Sequence, residues 1–161
     1  MSGHSSNRDD IELESLYRDT VLDHFRSPRG RKAIDRVDLS RLGHNPVCGD
    51  RLSMSIKVEG DKIADIEVET KGCAISVASA SMLAELIPGL TKEQAQHLAE
   101  SFRGMMHGQP MPKDLDIGDL DSLEGVKNFP VRVKCALLGW MTLLDALSGA
   151  GDDKGVTVTE D

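Results

Sequence analysis

Three cysteines, far apart and each in a different frame, constrain the fold of this chain more than any other feature: Asn45-Pro46-Val47-Cys48-Gly49-Asp50, Thr70-Lys71-Gly72-Cys73-Ala74 and Arg132-Val133-Lys134-Cys135-Ala136. None belongs to a C-x-x-C clip that could close on itself, so only a folded domain can bring the thiols together. With a carboxylate two residues after the first, they suggest one soft metal site. Three is too few, and odd, for a secreted disulfide framework, and Met1 to Asp10 has no apolar stretch of the signal-peptide kind, so a reducing cytoplasm is expected.

The chain's 161 residues suit one domain with a core of its own. The expected limits are a polar tail over 1–8, a single domain over 9–150 and an acidic, disordered tail over 151–161. With 19 Lys plus Arg against 27 Asp plus Glu, the net charge of -8 disfavours nucleic acid and acidic membrane surfaces. Aromatic residues are only 3%, too few for a base-stacking platform, and no run approaches the roughly 20 apolar residues of a membrane span. Protein partners and a metal remain.

Two segments alternate with period two: Leu52, Met54, Ile56 and Val58 in the first, Ala64, Ile66, Val68 and Thr70 in the second. Gly60-Asp61 between them predicts an antiparallel hairpin. A helix capped by Asp9 or Asp10 is expected through Leu13, Leu16, Tyr17, Thr20 and Val21, ending at Ser27-Pro28-Arg29-Gly30. Residues 31–44 carry only scattered apolar side chains and receive no assignment. A helix is expected from Cys73 to Ile87, placing Cys73 at a helix N-terminus, where the dipole and free amides favour a thiolate. Thr91 and Gln94 form a capping box for the next helix, whose stripe Ala95, Leu98, Ala99, Phe102, Met105 and Met106 reads as core. Residues 107–118 read as loop and 119–124 as one helical turn, and a last helix begins near Pro130 and packs through Val133, Ala136, Leu137, Trp140, Leu144 and Leu147. The fold class is α+β: a small antiparallel sheet, the hairpin plus a third strand, packed against several helices.

A buried cysteine is usually a small apolar side chain. Cys48, however, lies among turn formers without periodicity, which places its sulfur on an exposed loop. Asp50 taken alone reads as a turn residue. A cluster of thiolates and a carboxylate would favour a nearby cation, and Arg132, three residues before Cys135, is the candidate, with Lys71 and Lys134 as lesser ones. The five histidines, His4, His24, His44, His97 and His107, form no ligand pair and read as surface residues.

Together the three cysteine frames resemble the IscU and NifU family of iron–sulfur scaffold proteins across nearly the whole chain, in particular its SufU branch. IscU-type proteins carry histidine immediately before the third cysteine, whereas this chain has Lys134 there and arginine at 132, as the SufU type does. The segment from Thr91 to about Ile117 resembles the SufU insertion. Asn128-Phe129-Pro130-Val131-Arg132 departs from the Leu-Pro-Pro-Val-Lys chaperone segment of IscU, so the resemblance gives no ground for a dedicated Hsp70 partner.

The resemblance implies zinc held by Cys48, Asp50, Cys73 and Cys135, with Asp50 the harder, more easily displaced ligand. It implies a sulfurtransferase-like carrier that takes persulfide sulfur from a SufS-type cysteine desulfurase and passes it toward iron–sulfur scaffold or carrier proteins. Cys48 is expected to be the acceptor and Arg132 to support the site. Two alternatives stay open: a scaffold on which a transient [2Fe–2S] cluster assembles on the same four residues, and a purely structural zinc domain. A zinc hydrolase is disfavoured, because no second carboxylate or histidine motif offers a general base.

Overall fold

The computed structural model describes residues 18–148 and the backbone of 156–157. The expected tail over 1–8, the helix start at Asp9 or Asp10 and most of the C-terminal tail lie outside these residues. The described elements run α1 Asp19–Arg26, β1 Leu39–Asn45, β2 Asp50–Glu59, β3 Lys62–Lys71, α2 Ala74–Leu86, α3 Lys92–Met106, a 3-10 helix Gly118–Asn128 and α4 Pro130–Leu147. Within the expected acidic tail, Val156–Thr157 form a short strand β4.

The predicted hairpin is β2–β3, turning at Gly60, whose φ of 64° suits glycine. Leu52, Met54 and Ile56 fill the inner face of β2, as their alternation requires. On β3 the buried set is Ile63, Ile66 and Val68, with Ala64 only half-buried. A register shift beside Lys57 and Val58 explains the departure from strict alternation, because a bulge inserts a residue and returns the next side chain to the same face.

The third strand is β1, antiparallel to β2, and the sheet order is β3-β2-β1-β4 with β4 parallel to β1. It falls at the end of the segment left unassigned, and its inner face explains why. Arg41, Gly43 and Asn45 point inward and are buried, while Leu42 is 56% exposed. Arg41 is neutralised by Asp145 of α4, its Nε 2.7 Å from Oδ2. At Gly43 a Cβ would run into Thr142 Oγ1 and Leu138, so the glycine lets α4 lie close against the strand.

Helices α2 and α4 cover the inner face of the sheet, and α3 packs on α4. Trp140 is fully buried against Phe102, ring centroids 5.3 Å apart, and its indole N–H donates to Ser79 Oγ at 3.1 Å. The capping box forms as expected: Gln94 N–H donates to Thr91 Oγ1, and Thr91 N–H to Gln94 Oε1. The single turn expected over 119–124 is instead an eleven-residue 3-10 helix, whose Leu120, Leu123 and Val126 recur every three residues, the period of that helix, and are buried. Among the described residues no helix is long and apolar enough to cross a membrane.

Candidate metal centre

The three cysteine frames meet at one end of the sheet. Residues 46–49 form the tight loop joining β1 to β2, closed by the Gly49 N–H donating to Asn45 O at 2.8 Å with Gly49 at φ 77°. Cys48 is exposed in that loop, as its turn-forming neighbours led one to expect. Asn45 and Asp50 are the last cross-strand pair beneath it, and both are buried. Cys73 is the N-cap of α2, and Cys135 lies fully buried in the second turn of α4, which Pro130 starts.

One ligand atom each from Cys48, Asp50 and Cys135 lies within 4.8 Å of the others. The Cys135 and Cys48 sulfurs are 3.5 Å apart. Two thiolates on one tetrahedral zinc, each at about 2.3 Å, stand about 3.8 Å from one another, so the donor set and its spacing fit such an ion. Cys73 borders this group without entering it as closely: its N–H donates to Asp50 Oδ1 at 3.1 Å, and its thiol interacts with that of Cys135. The carboxylate is thereby fixed from two sides, because Asn45 Nδ2 donates to Asp50 Oδ2 at 3.3 Å.

Electrostatics among these groups favour a cation. The adjacent Cys73 thiol, burial and the Asp50 carboxylate all push the Cys135 thiol far above its ordinary range. The Cys135 thiol, with help from the Ser76 N–H at the start of α2, holds Cys73 down at about 6. Packed together, these groups cannot all ionise unless positive charge joins them; a divalent ion reverses that penalty and deprotonates coordinating thiols outright.

Two contributors escape a reading of the sequence alone. Asn45 was legible only as a turn former before proline, yet its buried amide spans the site: Nδ2 reaches both Asp50 and Cys135 Sγ (3.7 Å), and Oδ1 accepts the Val47 N–H at 3.2 Å. Gly72 is the second. A Cβ there would overlap the Asp50 carboxylate, so glycine is what permits the strand-to-helix junction to approach it. A glycine directly before a site cysteine was the available signal. Arg132 is half-buried in the first turn of α4, its N–H bonded to Phe129 O at 2.8 Å. Among the described histidines, His97 and His107 are exposed and His44 half-buried, but His24 is fully buried, contrary to the surface reading. Its ring is satisfied on both sides, by Ser81 Oγ at Nδ1 (2.7 Å) and by Asp119 Oδ2 at Nε2 (2.8 Å), which removes the cost of burying it.

Residues 16–136 match the family of NifU-like N-terminal domains. A relative from Bacillus subtilis (strain 168), named zinc-dependent sulfurtransferase SufU, is 40% identical, covering 81% of this chain and 88% of its own. One from Streptococcus pyogenes serotype M1, named iron-sulfur cluster assembly scaffold protein IscU, is 38% identical over 91% of each. The fold also matches the crystal structure of a putative iron-sulfur cluster assembly scaffold protein for the SUF system from Fervidobacterium islandicum AW-1, with a TM-score of 0.76, 34% identity, and coverage of 82% of this chain and 96% of that one. By its cysteine frames, its sheet-and-helix architecture and this similarity over most of its length, the chain belongs to the IscU/SufU family of NifU-like N-terminal domains.

Proposed function

We propose that this protein serves iron–sulfur cluster assembly in the cytoplasm as a sulfur carrier, accepting persulfide sulfur at a zinc site from a SufS-type cysteine desulfurase and handing it to downstream scaffold or carrier proteins. One observation carries the reading. Cys48 is exposed at a loop tip while its neighbours Asp50 and Cys135 are 1% and 0% exposed, so one thiol can leave a base that stays in place. The name of the B. subtilis relative supports zinc and sulfur transfer.

Cys48, Asp50, Cys73 and Cys135 would hold the zinc, which supplies charge that keeps the thiols ionised but muted as nucleophiles. The protein's own residues do the rest. Asn45 and the Cys73 N–H hold Asp50 in place when the Cys48 loop moves. Val47 and Val131, 55% and 53% exposed beside Cys48 and Arg132, offer apolar surface on which a partner can dock. Freed by docking, the Cys48 thiolate attacks the terminal sulfur of the desulfurase Cys–S–SH. The new S–S bond makes Cys48–S–SH, and the enzyme cysteine leaves as a thiolate; the proton stays on the transferred sulfur. Arg132 supports the anionic cluster from the start of α4. The exposure of Cys48 argues against a purely structural zinc domain, whose ligands close the site.

The test is alanine production by the cognate desulfurase. Wild-type protein should stimulate it, and Cys48→Ala, which leaves no replacement thiol on the loop, should not. Stimulation by the alanine variant would remove Cys48 from the acceptor role. No stimulation by either protein, with a stable cluster forming on the wild type from iron and sulfide without oxygen, would favour the [2Fe–2S] scaffold reading, which the name of the streptococcal relative suggests.

A further inference from the structure

A second cluster of ligating side chains lies outside the cysteine centre, where α1, α2 and the 3-10 helix converge. His24, Glu85 and Asp119 each present a ligand atom within 4.8 Å of the others. His24 Nε2 is 2.8 Å from Asp119 Oδ2 and 3.6 Å from Glu85 Oε1. Two such donors on one tetrahedral zinc, at about 2.0 to 2.1 Å each, stand about 3.3 Å apart, so the observed spacings bracket the requirement.

Burial is graded as in a binding site. The imidazole is fully buried, while the carboxylates are 42% and 49% exposed, so the ring is the rigid floor and the acids lie on the solvent side. The far side of the ring is anchored. Nδ1 meets Ser81 Oγ at 2.7 Å, and that hydroxyl is itself fixed by the Arg29 N–H at 2.9 Å. A metal-ligating histidine has its other nitrogen held in this way.

We propose that His24, Glu85 and Asp119 form a second cation site, for a borderline divalent metal of the zinc class. In the neutral ring the Nε2 proton faces Asp119, and binding requires only that the proton move to Nδ1. Ser81 Oγ then accepts from both His24 and Arg29, which its two lone pairs allow, while its own proton turns to a carbonyl one helical turn back. Arg29 Nε pairs with Glu85 Oε2 at 3.2 Å, leaving Oε1 for the ion and offsetting one carboxylate charge. A hard cation held by charge alone therefore gains less here than one that also takes the imidazole nitrogen, which excludes magnesium and calcium as preferred occupants.

The experiment compares the full wild-type chain with the Glu85→Gln/Asp119→Asn variant. Both are stripped of metal under reducing conditions and titrated with Zn²⁺, and zinc per chain is counted by calorimetry and elemental analysis. The side-chain amide oxygen that Asp119→Asn introduces can still accept from the His24 ring, so the helices stay joined. Wild type should bind one zinc more per chain than the variant, with a ring ¹⁵N shift at His24 as the additional ion enters. Glu85→Gln alone, at an exposed position, should weaken that ion at least tenfold. Equal zinc counts in wild type and double variant, or an unmoved His24 resonance, would overturn the proposal whatever the cysteine centre does.

Discussion

Strands β1 and β2 lie side by side in one sheet and both pack against α4, yet they are built on opposite rules. β2 places Leu52, Met54 and Ile56 inward. β1 places Arg41, Gly43 and Asn45 there, and turns Leu42 out to solvent. The first strand gains stability from apolar area removed from water. The second gives that up residue by residue: Arg41 for an ion pair with Asp145, Gly43 for the close approach of α4, Asn45 for the grip on Asp50 and Cys135. The strand that leads into the Cys48 loop is the one whose inner face serves the site.

If that division is right, substitutions on the two strands should fail differently. The largest loss of stability is expected for Ile56→Ala, about 2 to 5 kcal/mol in urea unfolding, with metal content per folded chain unchanged. Gly43→Val should cost about 1 to 3 kcal/mol by forcing α4 away from the strand, and should also reduce metal binding, because Cys135 rides on that helix. Asn45→Ala should cost about 1 to 3 kcal/mol through the lost hydrogen bonds of a buried carboxylate, and weaken zinc about 10- to 100-fold in a chelator competition. Leu42→Thr, on the outer face, should change stability by less than about 0.5 kcal/mol and leave metal affinity alone. Equal zinc affinity in Ile56→Ala, Gly43→Val and Asn45→Ala would dissolve the contrast.

The same contrast explains what could be read from the sequence. The β2–β3 hairpin, the capping box at Thr91, the start of α2 at Cys73 and that of α4 at Pro130 were legible because apolar period, turn residues and caps agree there. β1 was not, since a strand recognised by alternation is invisible when its inward residues are arginine, glycine and asparagine. The 3-10 helix was underestimated because loop-forming residues mask a three-residue apolar repeat. In the site, Cys48, Asp50, Cys73 and Cys135 were legible as a set; the first, second and fourth converge, and Cys73 borders them. Asn45 and His24 were not, because a buried polar residue is identified by partners distant in sequence: Cys135 in one case, Ser81 and Asp119 in the other.

In the proposed function the cysteine end of the sheet holds a single zinc, with the Asp50 carboxylate in its coordination sphere and Cys73 drawn in beside Cys48 and Cys135. X-ray absorption at the zinc edge tests it most directly, on wild type purified without added metal and on the Glu85→Gln/Asp119→Asn variant, which removes any contribution from the His24 cluster. The variant should hold one tightly bound zinc, with three sulfur neighbours at about 2.3 Å and one oxygen at about 2.0 Å. Two sulfur neighbours, a shell without oxygen, or iron in place of zinc would contradict it.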